Sequence, residues 1–293
     1  MRQRLSAGVA MMLLYGLLWG AADSAIWAQE TDKPTDESEQ LDKKSEAAAE
    51  PAAAEESMAW PKRSTLEQKV ARVFGPPPGM TRLAKDARIW LDAKNKRVVV
   101  DGYVALRVGQ LEMFACPAGT KEHESVVGLL TKAQYVHAAL LAIGAKPGSP
   151  VKFEPKYTPA SGSKIKIEIL YVDDKGAKKR VTAQDWVRQV GTEKTLDMDW
   201  VFAGSGMWKD PDTGTEQYLA ESGDLICVSN FTTATLDLPI RSSQANSSLL
   251  FAAYTDRIPP EQTPVRLVLS IKEAEPAQEE PKNEATESTT PDK

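Results

Sequence analysis

Hydrophobic and polar residues alternate along much of the middle of the chain. Between residues 97 and 107 four apolar side chains share one parity and the charged side chains the other: they are Val98, Val100, Val104 and Leu106 against Arg97, Asp101 and Arg107. This pattern predicts a half-buried strand with Gly102 at a bulge. A second alternation at 164–171, the turn 173–176 and the segment 179–182 together predict a hairpin. Shorter strands are predicted at 88–92, 111–115, 200–203, 217–219, 225–229, 234–238 and 265–271.

Two segments carry a helical pattern instead. Ser64 with Glu67 forms a potential capping box before a short apolar stripe that the prolines at 76–78 terminate. Thr131 with Gln134 is typical of a second helix start, and Gly144 of its end.

These elements predict a fold class of α+β. We expect a strand-rich domain over residues 61–271, with a mostly antiparallel sheet and two or three helices, flanked by disordered tails.

Residues 1–28 have the pattern of a secretory signal peptide. Arg2 and Arg4 precede an uncharged run at 5–22, and small residues follow it. A retained signal anchor is the alternative, because the run approaches the length of a membrane span. Either interpretation predicts export to the periplasm, cell envelope or extracellular space. No membrane span is expected after the signal is removed.

Charge is distributed unevenly among these segments of the chain. The net charge is −5, yet residues 61–271 carry 28 bases and 23 acids, so the acid excess belongs to 29–60 and 272–293. Both of those segments lack large apolar residues and are predicted to be a disordered acidic linker and a disordered acidic tail.

Composition excludes several classes of protein. Two cysteines and two histidines are too few for an all-cysteine iron–sulfur cluster or a multi-zinc array. The basic residues are scattered and no phosphate-binding glycine loop is present, so we expect no nucleic-acid or nucleotide binding.

Several segments resemble the YdjY-domain family of exported bacterial proteins, especially its planctomycete members. They are VDGYVALR at 100–107, LEMFACPAGTKEHES at 111–125, VHAALL at 136–141, DWVFAGSG at 199–206, GDLICVSNF at 223–231 and 234–239. The resemblance covers roughly 83–269 and implies family membership. It carries over no catalytic residue. Some relatives bear a ferredoxin-like label, from which this chain departs because a cluster needs four thiolate or comparable ligands.

The densest polar segment, residues 116–125, contains Cys116 and His123 and is predicted to be a surface loop. With His137 and Cys227 it accounts for every cysteine and histidine in the chain. Three interpretations remain open: a single zinc or copper ion held by these four residues, a Cys116–Cys227 disulfide, or two unpaired thiols. The last includes a cysteine nucleophile with a histidine base. His137 alone is also interpretable as a partly buried, satisfied histidine.

Three further features have simpler interpretations. Ser205 has glycines as immediate neighbours, which indicates a flexible turn rather than a nucleophile elbow. The segment 210–216 is predicted to be a hairpin turn rather than a calcium loop. Trp186, Trp200 and Trp208 could line a groove for a ligand such as a sugar, although core packing is expected for at least two of them.

No complete catalytic constellation can be assembled from these residues. We therefore expect an exported, non-enzymatic binding or structural module whose partner is a protein or a cell-envelope ligand. The alternative is a periplasmic metal-binding or redox protein that uses Cys116, His123, His137 and Cys227.

Overall fold

A computed structural model describes residues 62–242 and 248–273. The predicted signal peptide, the acidic linker and nearly all of the acidic tail lie outside the described residues. None of the helices in the described part has the length and apolarity that a membrane crossing needs.

Within these ranges the chain forms two α-helices and fifteen mostly short strands. The helices are α1 (Arg63–Val73) and α2 (Ala133–Ala142). The strands are β1 (Thr81–Arg82), β2 (Ile89–Asp92), β3 (Arg97–Val104), β4 (Met113–Pro117), β5 (Ser125–Leu129), β6 (Lys164–Val172), β7 (Lys178–Thr182), β8 (Val187–Gln189), β9 (Trp200–Phe202), β10 (Met207–Lys209), β11 (Glu216–Tyr218), β12 (Ile226–Cys227), β13 (Leu236–Asp237), β14 (Phe251–Ala253) and β15 (Pro264–Ile271).

Eight of the described strands close into a mixed barrel. Their order is β3-β15-β6-β9-β13-β12-β4-β5, and β5 pairs back onto β3. Most neighbours are antiparallel, but β12–β13 and β4–β5 are parallel. The predicted α+β class is therefore wrong in its architecture, although the antiparallel majority and the two helices agree with it. Strand β5 has no alternating pattern because every one of its residues is buried, so the sequence analysis missed the strand that closes the barrel.

The remaining strands extend this barrel or form separate two-stranded sheets. β1 and β2 continue from the edge of β3, and β7 pairs with β6 as the predicted hairpin. β10 pairs with β11, and β8 with β14. At 210–216 the predicted turn is confirmed, because Asp210 Oδ1 accepts hydrogen bonds from the backbone N–H groups of Asp212 and Thr213.

Strand β3 is buried on both faces rather than on one. Val98 and Val100 belong to the main core, whereas Val99 packs outside it with Trp90 and Val268. Gly102 keeps regular register with Val265 of β15, so the predicted bulge is absent at this position.

The predicted capping boxes are also wrong. α1 begins at Arg63 without a side-chain cap, and the N-cap position of α2 is Lys132 rather than Thr131. The predicted apolar stripe of α1 is confirmed at Leu66 and Val70, which are buried, but its last member, Val73, is 43% exposed.

Barrel closure brings the backbones of β3 and β5 unusually close. A Cβ atom placed on Gly102 would lie 2.3 Å from the carbonyl oxygen of Gly128. No side chain larger than hydrogen fits at this distance, so glycine at position 102 permits the seam to form.

Beside that seam, a buried carboxylate is bonded to two arginines. Asp101 Oδ2 lies 2.6 Å from Arg88 Nη2, and Asp101 Oδ1 lies 2.6 Å from Arg266 Nε. Both guanidinium groups also contact the ring of Trp90 and donate to backbone carbonyls at Phe74 and Gly75. The ion network thereby attaches the segment after α1 to β3 and β15.

We predict that Gly102→Ala destabilises the domain by about 1–3 kcal/mol or more, because the new methyl group overlaps the backbone of β5. Urea unfolding measures the loss. Gly75→Ala is the matched control, since a Cβ there meets nothing within 4 Å. Equal stability of the two variants would show that the seam tolerates a side chain.

We also predict that Asp101→Asn lowers the free energy of unfolding by about 3–5 kcal/mol, because two arginines then lose the charge that compensates them. Glu168→Gln, which removes the partner of the exposed Arg180, should cost no more than about 1 kcal/mol. Similar losses in the two variants would contradict the role assigned to Asp101.

Candidate functional site

The two cysteines lie on strands and are fully buried. Cys116 is in β4 rather than in the predicted surface loop, and neither thiol forms a disulfide in this structure. Cys227 Sγ lies 3.5 Å from Met113 Sδ in a small apolar cluster. Burial raises the pKa of Cys116 to about 11. The thiol is therefore protonated at neutral pH, which removes the basis for a cysteine nucleophile.

The two histidines lie in different surroundings. The His123 side chain is 76% exposed, with Nε2 3.8 Å from Glu124 Oε2. It lines a cavity of about 400 Å³ with Glu122 and Glu261. His137 lies on α2 and is bonded to Tyr218. Across the described residues, no three His, Cys, Asp or Glu side chains are grouped to hold a metal ion, so the four predicted ligands are not brought together.

His137 belongs to a neutral hydrogen-bonded network. Its Nδ1 lies 2.9 Å from the hydroxyl oxygen of Tyr218, which is 3.0 Å from Thr235 Oγ1 and donates to the carbonyl of Gly204. Burial lowers the pKa of His137 and raises the pKa of Tyr218 to about 12. Both groups are therefore uncharged at neutral pH, in agreement with the interpretation of His137 as a partly buried, satisfied histidine.

The turn after β9 forms the wall opposite α2. Gly204 and Ser205 both have positive φ, at 92° and 54°, and their N–H groups donate to the carbonyls of Thr235 and Ala234. Ser205 Oγ donates to the carbonyl of Thr233 at 2.6 Å. A left-handed serine is strained, and such strain is concentrated at functional sites in proteins.

The start of α2 is fixed by a side chain distant in sequence. Glu221 accepts hydrogen bonds from the backbone N–H groups of Ala133 and Gln134, at 3.2 and 2.8 Å. A carboxylate at a helix N-terminus satisfies otherwise unpaired donors and the helix dipole. Glu221 thus orients Gln134 and His137, which lie one helical turn apart.

Three adjoining cavities meet at these residues and form what we call the groove. The central cavity, about 350 Å³, contains His137, Ser205 and Tyr218. A second, of about 600 Å³, shares Gln134 and Tyr218 with it and extends along β11. A third, of about 540 Å³, shares Ser205 and extends along residues 150–154.

Of the three tryptophans considered in the sequence, two are in the core, as expected, and one is exposed. Trp186 and Trp200 are fully buried in the core. Trp208 is 44% exposed on β10, directly across from Gln217, which lines the second cavity. Trp208 itself lines none of the three cavities, and it lies on the opposite face of this hairpin from Met207 and Tyr218, which line the central one.

Comparison with known protein families shows which family the chain belongs to. The YdjY domain matches residues 89–270, which contain the barrel and the groove. The chain belongs to the YdjY domain family. Neither the curated proteins nor the solved structures gave a match.

Two segments of the YdjY domain meet through an ion pair that the sequence analysis missed. Lys121 Nζ lies 3.1 Å from Asp224 Oδ1 and 3.4 Å from Glu124 Oε1, and it packs over the ring of Phe231. A Cβ on Gly223 would lie 2.5 Å from the Lys121 side chain. The only signal available was that Lys121 and Asp224 both lie in segments resembling the family.

A second buried network of the YdjY domain reaches the third cavity through Tyr157, whose ring centroid lies 6.1 Å from that of Phe153 in the cavity wall. Asn230 Nδ2 donates to both carboxyl oxygens of Asp237, and Asn230 Oδ1 accepts from the Ser242 N–H and the Tyr157 hydroxyl. Burial is the main cause that raises the pKa of Asp237 to about 8. The carboxyl group is therefore largely protonated at neutral pH.

We predict that Asp237 makes the domain less stable as pH rises. The folded state holds its proton up to about pH 8, whereas the unfolded chain releases it near 3.8, so the folded state binds more protons in between. Each pKa unit is worth about 1.4 kcal/mol.

Urea unfolding from about pH 5 to pH 8 should therefore show a decline in stability for the natural protein that Asp237→Asn lacks. The exposed Asp256→Asn is the control and should retain the decline. A parallel pH dependence in the natural protein and Asp237→Asn would show that Asp237 is already ionised.

Proposed function

We propose that this YdjY domain is a non-enzymatic ligand-binding module of an exported protein, and that its ligand occupies the groove. The observation that carries the proposal is the convergence of three cavities on one preformed polar network, that of His137, Tyr218 and Ser205. Concave sites with a few fixed polar groups are the usual form of ligand sites.

The protonation states of the groove support binding rather than chemistry. His137 and Tyr218 are both neutral near pH 7, so they offer hydrogen bonds without charge. Ser205 donates its hydroxyl proton to the Thr233 carbonyl and not to a histidine, which leaves its oxygen without an activating base.

Fixed geometry also supports binding. Glu221 holds α2, backbone hydrogen bonds hold the 204–206 turn, and Tyr218 bonds to both sides. A ligand that enters such a groove loses little affinity to the ordering of protein groups.

Export is the second part of the proposal. It is supported by the sequence pattern of residues 1–28, in which Arg2 and Arg4 precede an uncharged run. The corresponding ligand is a component of the periplasm, cell envelope or extracellular space.

The groove can be blocked without disturbing the core. Gln134 is exposed on α2 and lines two of the three cavities, so Gln134→Trp should fill their shared mouth. Leu141→Trp, at an exposed position on the same helix outside the groove, is the control.

We predict that a saturation-transfer NMR screen of saccharides, short peptides, nucleotides and fatty acids finds at least one class that binds the natural protein and Leu141→Trp. Gln134→Trp should weaken that binding by about 10-fold or more. The proposed site would be refuted if Gln134→Trp left the affinity of every bound class unchanged, or if no class bound at all.

A further inference from the structure

We infer that the ligand of the groove is a linear oligosaccharide that spans all three cavities. This inference rests on the proposed function and specifies the class of its ligand. The inference depends on how the cavities are connected, on the hydrogen-bonding character of their walls, and on the exposed aromatic side chain at one end.

Connection of the cavities indicates an elongated ligand. The second cavity shares Gln134 and Tyr218 with the central one, and the central cavity shares Ser205 with the third. Each has the size of a complete small-molecule site, at about 350 to 600 Å³. A compact ligand would fill one of them, whereas a chain of linked units fills them in series.

The walls suit hydroxyl groups, which both donate and accept hydrogen bonds. Gln134 and Gln217 have amides with both capabilities, and Ser205, Ser222 and Thr233 have hydroxyls. Because His137 and Tyr218 are neutral, the centre of the groove shares this character. A sugar ring presents such groups around its whole edge.

The charges disfavour anionic polymers. Three acidic residues line the three cavities: Glu154, Glu216 and Glu221. Among the lining residues Lys152 is the one basic side chain. The carboxylate of Glu221 is already bonded to the start of α2. Phosphate-rich ligands such as nucleic acids need clustered bases, so an uncharged chain fits better.

An exposed aromatic ring lies at one end of the groove. Phe153, 43% exposed, lines the third cavity. The apolar face of a sugar ring packs on an aromatic ring while its hydroxyls remain bonded elsewhere. Such a platform, next to a central polar network of neutral groups, favours an oligosaccharide over a short peptide.

Isothermal titration calorimetry with β-1,4-linked N-acetylglucosamine and glucose oligomers, from monomers to hexamers, tests this inference. Affinity should rise with length until the three cavities are filled and then level off. Phe153→Ala should weaken binding of the longest oligomers by about 10-fold. Val108→Ala is the matched control, because Val108 is an exposed apolar residue outside the groove.

Several outcomes would overturn the inference. If no glycan binds, yet another class binds in a manner that Gln134→Trp blocks, the groove stands and the oligosaccharide does not. If glycans bind but Phe153→Ala behaves like Val108→Ala, the third cavity is not a sugar subsite and the three-cavity arrangement is refuted. If glycan binding is unaffected by Gln134→Trp, the proposed function fails together with the inference.

Discussion

The architecture depends on one point at which strand β3 changes its partner. Residues Arg97 to Val100 pair with β2, and Gly102 to Val104 pair with β5 on the same edge, so the change falls at Asp101. The backbones join there, because Asp101 N–H donates to Arg88, Leu130 N–H to Asp101, and Arg88 N–H to Leu130. The buried Asp101 side chain and the glycine after it make this exchange possible, and without it the sheet would remain open.

Closure at β3 also determines where the groove lies. β5 leads directly into α2, so the seam fixes the helix that carries Gln134 and His137. On the other side, β9 and β13 are neighbours in the same barrel, and the turn after β9 bonds to the backbone of 234–235. Tyr218 then bridges helix and turn. The polar network is thus a consequence of barrel geometry rather than of local sequence.

Sequence patterns predicted the elements that depend on neighbouring residues and missed the pairings and contacts that depend on residues far apart in the chain. The long strands β6 and β15 and the hairpin turns were readable, since alternation and turn residues lie within a few positions. The all-buried β5, the two-residue β1 and the parallel pairings carry no such signal. At the site, His137 and Ser205 had been noticed individually, but Tyr218, Glu221 and Gln134 become partners only through the fold, and so does the Lys121–Asp224 ion pair.

Burial explains why the cysteines and His137 lack the reactivity that the cysteine and histidine content of the sequence suggested. Cysteine and histidine drew attention as the classical ligands and nucleophiles, yet the same apolar packing that closes the barrel raises the pKa of both thiols and lowers that of His137. Desolvation therefore leaves these groups neutral. A neutral imidazole bonded to a neutral phenol, beside a serine whose strained backbone is held by two hydrogen bonds, can exchange hydrogen bonds with other neutral groups at little electrostatic cost. The site thereby suits the hydroxyl-rich, uncharged ligand that we propose, because such a ligand can replace the water that the groove would otherwise hold.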